Sequence, residues 1–401
     1  MKVLIFENCL KATGHRIPYA RLIADAVVSL GLEAVVAFPD VIQNSEPIES
    51  YFSNCNSGIS THFFNVHSSS SSFQKFRGVS DWLLNVVDSI APDYCLIPTG
   101  DLVAASVGFN RIFPGSMKKL NQLPVDIILM RGEFVHKHVS IVKRAAKFAK
   151  WKVSCSYPWN RIGALDPLVW FSQRANQPRL ELCPDPTPNR PEIEKINARK
   201  NLGLPVDGQL IVSCGNQNKI KGVDLLVRAF NRLPPENTNC FLGLVGPMSQ
   251  PIRELIDSDQ ITPHTRQKII SIDRFVMEDE FQNSLVSADV VAVPYRKSDR
   301  PSGIISRCIA WGIPIIASNH GWPLWACEQF DAGLACDTTC DLTFANGIES
   351  VLSSFANFQP SDSARRFAKF NTVENFQGFW VKGICETLGR TPTFISLDSK
   401  F

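Results

Sequence analysis

Leu210-Ile211-Val212-Ser213-Cys214-Gly215-Asn216-Gln217-Asn218-Lys219-Ile220-Lys221-Gly222-Val223-Asp224-Leu225-Leu226 is an apolar run that stops at a glycine, crosses a polar turn with two lysines and resumes as an apolar segment. The first part reads as a buried strand and the last as the start of a helix. A strand buried on both sides belongs in a parallel sheet with helices on both faces. The turn itself suits phosphate. Main-chain N–H groups and the positive start of a helix face an anion, and a lysine adds a point charge. Gly215, Asn216 and Lys221 are the residues expected to do this, although a solvated connection with surface lysines has the same look.

Moving outward, the alternation of strand and helix continues. Beyond the turn come a helix over Val223 to Leu233, strands at Cys240 to Val245 and Lys268 to Ile272, a helix over Glu278 to Ser287, a strand at Asp289 to Pro294, a helix over Gly303 to Trp311 and a strand at Pro314 to Ser318. Upstream, Lys2 to Phe6, Pro18 to Leu30 and Glu33 to Phe38 open the chain as strand, helix and strand, and further strands are expected at Tyr94 to Pro98, Asp126 to Met130 and Lys152 to Ser156. Between these two series, Cys183 to Pro191 holds four prolines in nine residues, which forbids regular structure. The expected organisation is an α/β domain over 1–185, a hinge over 186–205, a second α/β domain over 206–371, and a C-terminal helix and tail over 372–401. In that helix Phe376, Phe379, Trp380, Ile384 and Cys385 form one stripe, expected to pack back on the first domain. Asn65 to Phe76, with five serines at 68–72, reads as an exposed loop.

Composition agrees with two domains. The chain has 401 residues, 44% of them apolar, and 41 basic against 38 acidic residues. A net charge of +3 gives no case for a nucleic-acid partner. Twelve cysteines lie scattered without a C-x-x-C pair, several within apolar runs, and read as reduced core residues; no metal site is expected. Neither a signal peptide, nor an apolar stretch of about 20 residues, nor an Asn-x-Ser/Thr acceptor is present, so a cytoplasmic protein is expected.

A second loop after a strand, Pro294 to Arg307, is basic and ends at Ser302-Gly303, a helix start whose amides are free for an anion. The ordered set of Gly215 to Gly222, Val245-Gly246-Pro247, Ala288 to Tyr295 and Ala310 to Ser318 resembles the C-terminal domain of retaining GT-B glycosyltransferases of family 4, the glycogen-synthase-like glycosyl transferases group 1. The likeness is good over Leu202 to Asp337 and looser in the first domain. It implies a GT-B fold, two Rossmann-like domains facing each other across a cleft, and transfer of a sugar from a nucleotide-sugar to a glycan or lipid-linked acceptor. The nucleotide-sugar is then a substrate and no cofactor is implied. Lys221 stands where the family's lysine holds the donor diphosphate, and Gly14, Gly215, Asn216, Ser302 and Gly303 fall on its other phosphate-binding positions. Asn216 replaces the usual arginine, for which Lys219, Arg296 or Arg300 are candidates to supply charge. The family's pair of glutamates falls on Asp299 and Arg307; arginine has no hydrogen-bond acceptor, so ribose recognition must differ here. A variant family pattern, Ser-Gly followed by apolar residues and an arginine, looks similar to Ser302 to Arg307. Arg274 and Phe275 fall at the nucleobase position. His15, in the first loop beside Arg16, and Asp101, after the strand at Tyr94, are the acceptor-side candidates for catalysis, and a helix cap is an equal reading of Asp101.

Residues 136–152 read as a basic amphipathic helix; related enzymes dock such a helix on anionic membranes, and a plain surface helix packed through Val139, Val142, Ala146 and Ala149 is the alternative. The other functional readings are a degenerate GT-B protein that binds without catalysing, and a dinucleotide oxidoreductase, which the absence of G-x-G-x-x-G in the first loop disfavours.

Overall fold

The computed structural model describes residues 1–12, 14–66, 72–110, 120–136, 139–234, 239–296, 301–354 and 358–391. Two compact units divide the chain: Met1–Pro186 together with the helix that starts at Val373, and Thr187–Thr372.

In the first unit the strands are β1 (Lys2–Phe6), β2 (Glu33–Pro39), β3 (Ile59–Phe64), β4 (Tyr94–Ile97), β5 (Val125–Leu129), β6 (Arg161–Ala164) and β7 (Leu180–Leu182), in the spatial order β3-β2-β1-β4-β5-β6-β7. Every pairing is parallel. The second unit holds β8 (Gln209–Cys214), β9 (Cys240–Val245), β10 (Ile269–Ile272), β11 (Val290–Val293), β12 (Ile315–Ser318) and β13 (Gly333–Cys336), again all parallel, in the order β10-β9-β8-β11-β12-β13. Parallel neighbours need crossovers, and the helices that supply them cover both sheet faces. Alternate residues of β1 accordingly enter different cores: Leu4 and Phe6 on one face of the sheet, Val3 and Ile5 on the other.

The C-terminal helix Val373–Thr387 buries Phe376, Phe379, Trp380, Ile384 and Cys385, the first four of them in the same apolar cluster as Tyr19 and Ile23 of the first unit. A polar anchor holds it as well. Arg161 donates to the Phe379 carbonyl at 2.6 Å, lies over the Phe379 ring and pairs with Asp126 at 3.3 Å and with Glu181 at 2.8 Å.

Several segments differ from the sequence expectation. Lys152 to Ser156 is not a strand: residues 152–155 close the helix Ile141–Cys155, and the next strand is β6. Short apolar runs do not separate strand from helix, and here Trp151, Ser154 and Cys155 form the buried side at helical spacing. That side is also not the one expected. Val142 is 80% exposed and Ala146 and Ala149 are exposed, whereas Arg144 and Lys147 lean inward, onto the Phe134 carbonyl and Glu133. The helix begins at Ile141, His136 is buried ahead of it, and Lys137 and His138 lie outside the described residues. A helix already runs from Ser72 to Ile90, inside the stretch read as a serine loop; Ser68 to Ser71 lie outside the described residues. All twelve cysteines are free, ten of them buried. No helix among the described residues is long and apolar enough to cross a membrane.

Candidate functional site

In an open parallel sheet the ligand place is outside the carboxyl ends of the strands where the strand order reverses. That point lies between β1 and β4 in the first sheet and between β8 and β11 in the second. The phosphate and acceptor-side loops singled out in the sequence leave these strands, whereas the loop of Arg274 and Phe275 leaves β10.

In the second unit β8 runs into Gly215, whose φ is +90°, and the turn that follows is built around Gln217. This side chain is 1% exposed. Its Nε2 donates to the carbonyls of Ser213, Gly215 and Val245 at 2.9–3.0 Å, and its Oε1 accepts from the Ser213 hydroxyl. A buried amide with all these bonds made fixes the loop rigidly. The Asn218 side chain then accepts the Lys221 amide at 3.0 Å and caps the single turn Lys219–Lys221. Gly222 follows in the left-handed region, φ +71°, against Pro294 of the loop after β11. The chain enters the helix Val223–Asn231 from there.

The half-buried Lys221 carries its Nζ to 3.8 Å from the centroid of the Tyr295 ring, a cation–π distance. Tyr295 is buried, and its hydroxyl lies 3.4 Å from the Ser302 hydroxyl. Ser302 precedes the helix Gly303–Trp311 without capping it by its side chain, so the amides of Gly303, Ile304 and Ile305 have no acceptor within the helix. A Cβ placed on Gly215 would lie 3.9 Å from Cδ1 of Ile304. One small region therefore gathers a glycine turn, an ammonium group and an open helix start, all donors, as an anion requires.

Asn216 is exposed on the same turn. Arg296, a candidate for the charge that Asn216 lacks, has its Nη2 bound to Asp224 at 2.7 Å, a carboxylate shared with Arg228. Lys219 is exposed; Asp299 and Arg300 lie outside the described residues.

The nucleoside candidates sit further along. Arg274 follows β10 and is held by both oxygens of Glu280, which keep its charge occupied while Arg274 holds the Glu280 carboxyl below its usual range. Phe275 is exposed next to it. Arg307 extends from the helix Gly303–Trp311, lies over the Phe281 ring at 4.9 Å and pairs with Glu278 at 2.9 Å.

In the first unit Gly14, at φ +74°, and the exposed His15 precede the helix Arg16–Ser29. The His15 ring lies 4.7 Å from that of Tyr19, whose hydroxyl donates to Asp185 at 2.5 Å. Asp101 starts the helix after β4 and accepts the amides of Arg131 at 3.0 Å and Met130 at 3.3 Å, so its carboxylate braces the loop after β5. Between these candidates lies a residue the sequence reading missed. Glu7, at the end of β1, is fully buried, accepts the Thr99 hydroxyl on both oxygens at 2.6 and 2.7 Å and pairs with Arg16 at 3.3 Å. Burial pushes its carboxyl above the usual range, against the pull of Arg16. It ties the loops after β1 and β4 together. An acid closing an apolar strand was the available signal.

Residues 194–369 match the family model described as glycosyl transferases group 1. An uncharacterized glycosyltransferase of Methanocaldococcus jannaschii is 30% identical over 163 residues, 40% of this chain and 40% of that protein. A D-inositol 3-phosphate glycosyltransferase of Xylanimonas cellulosilytica is 32% identical over 130 residues, 31% of this chain and 29% of that protein. The chain thus matches well under half the length of these curated relatives. Among solved structures, Anabaena HepE in complex with UDP superposes with a TM-score of 0.65 at 14% identity, covering 97% of this chain and 100% of HepE. Residues 194–369, within the second unit, are thus similar to the glycosyl transferases group 1 domain, and the chain has the GT-B fold.

Proposed function

We propose that this chain is a retaining, hexosyltransferase-like glycosyltransferase that moves a sugar from a nucleotide-sugar to a glycan or lipid-linked acceptor. The observation that carries this reading is the Lys221 ammonium group, fixed over Tyr295 beside the Gly215 turn and the open amides at Gly303. UDP in the HepE complex is a ligand of the same chemical kind.

In this reading the diphosphate of the donor is held by Lys221 and by main-chain N–H groups around Gly215, Ser302 and Gly303. As the bond to the sugar breaks, negative charge grows on the departing phosphate, and these donors stabilise it without having to reorganise. Retention follows from attack on the face the phosphate leaves, with the phosphate taking the acceptor proton, so no protein nucleophile is required. In the first unit Gly14 is a further donor-phosphate position and His15 and Asp101 are the acceptor-side catalytic residues, Asp101 also fixing the loop after β5. The helix Ile141–Cys155 is the element for a peripheral contact with an anionic membrane at its cytoplasmic face, since Ile141 and Val142 are exposed beside Lys143.

The test is release of nucleoside diphosphate from a panel of nucleotide-sugars, with and without added acceptors. A turnover that Lys221→Ala lowers by about 10²–10³, as loss of one such donor does elsewhere, supports the reading. Turnover unchanged by that substitution contradicts it.

A further inference from the structure

We propose that Glu278 is the carboxylate that binds the ribose hydroxyls of the donor nucleotide, with Arg307 as the positioning residue that holds it and with Phe275 and Met277 as the apolar side of the same subsite. This rests on the nucleotide-sugar reading above and names a recognition element within it.

Three observations carry the inference. First, Arg307 is mostly buried yet uses little of its hydrogen-bonding capacity. Its Nη2 pairs with Glu278 Oε1 at 2.9 Å, its plane lies over Phe281, and its buried Nη1 has no partner among the described residues. A buried donor left unused costs stability. What the arrangement gains is a carboxylate held in place: Glu278 Oε1 receives both Arg307 and the Gln282 amide at 2.8 Å, while Oε2 accepts no hydrogen bond among the described residues. The Glu278 side chain is itself 41% exposed. A carboxylate clamped on one oxygen and open on the other suits hydroxyl donors, which an arginine cannot accept; an acidic side chain on the ribose is also how dinucleotide-binding α/β sheets read that sugar.

Second, the place is right. Residues three and four apart share a helix face, so Arg307 is on the face that carries Gly303 and Ile304, and Ile304 borders Gly215. Third, Phe275 and Met277, 48% and 42% exposed, stand just ahead of Glu278 in a loop whose other charges are largely paired, Asp273 with Arg253 and Arg274 with Glu280. Exposed apolar side chains beside an open carboxylate match a nucleoside, a flat base joined to a diol.

The experiment is calorimetric titration of the full chain with UDP, ADP and GDP, each beside its 2′,3′-dideoxy form. For the nucleotide that binds best, the wild type prefers the ribo form by about tenfold or more, the worth of one charge-assisted hydrogen bond. Glu278→Gln and Glu278→Ala reduce that ratio to near one, and Arg307→Gln reduces it in part. Lys221→Ala weakens both forms alike and keeps the ratio. Melting temperatures close to wild type show that the variants are folded, and two Glu278 variants guard against failure of either. Binding with the full ratio retained in a folded Glu278 variant overturns this proposal and leaves the donor reading intact. Binding of no diphosphate by the wild type overturns both.

Discussion

Gly222 sits where the backbone must turn left-handed and where the loop after β11 presses against it. A Cβ there would lie 1.9 Å from the Pro294 carbonyl oxygen, so a side chain has to push the two loops apart. Gly222→Ala is expected to lower unfolding free energy by about 2 kcal/mol or more in urea denaturation, and to weaken nucleotide binding by moving Lys221 relative to Tyr295. Asp126 makes a different prediction. Burial raises its carboxyl from 3.8 to about 6, against the opposing pull of Arg161, Asn160 and Tyr94. Because the folded-state value lies above the unfolded one, its contribution to stability is complete below pH 3.8 and is lost as pH rises through about 6. The melting temperature of the wild type minus that of Asp126→Asn should therefore fall between pH 4 and 6.5, by the equivalent of up to about 3 kcal/mol. A difference that stays flat or rises would contradict this.

Two helices illustrate what an element's environment adds to its pattern. In Ile141–Cys155 the inner side is Trp151, Ser154 and Cys155, and the apolar Ile141 and Val142 at its start are left exposed. Trp151→Ala should cost about 3–5 kcal/mol as a core truncation, whereas Ile141→Ser with Val142→Ser should change stability by less than about 0.5 kcal/mol. If the helix contacts membranes, the same double substitution lowers co-sedimentation with vesicles containing anionic lipid and leaves binding to neutral vesicles unchanged; equal sedimentation of both proteins would argue against the contact. The helix Val373–Thr387 is the opposite case, with its apolar stripe covered. At Gly383 an added Cβ would meet the Tyr94 hydroxyl at 2.3 Å and Asp126 Oδ2 at 2.6 Å, so the helix lies directly on the polar anchor. Removing the chain after Thr372 would bare this surface, and light scattering should report aggregation of the shortened protein.

Across the whole molecule, the alternation of apolar runs and amphipathic segments made most of both sheets legible, because each buried strand is a short unbroken run. Four strands were missed: β3 contains Ser60, Thr61 and His62, β6 is four residues beginning with an arginine, β7 is three residues around Glu181, and β13 is four residues beginning with a glycine. The reverse error arose at Lys152 to Ser156, where side-chain pattern alone does not decide between strand and helix end. At the site, glycine, lysine and helix start announced themselves by residue type. Glu7, Gln217 and Glu278 did not, since their meaning lies in burial and in partners distant in sequence: Thr99, Val245 and Arg307. The most direct test of the account is a calorimetric titration of nucleoside diphosphates into the wild type and into Lys221→Ala. The account predicts binding that weakens by a factor of about ten or more in the variant; equal affinity of the two proteins, or no binding by either, would contradict it.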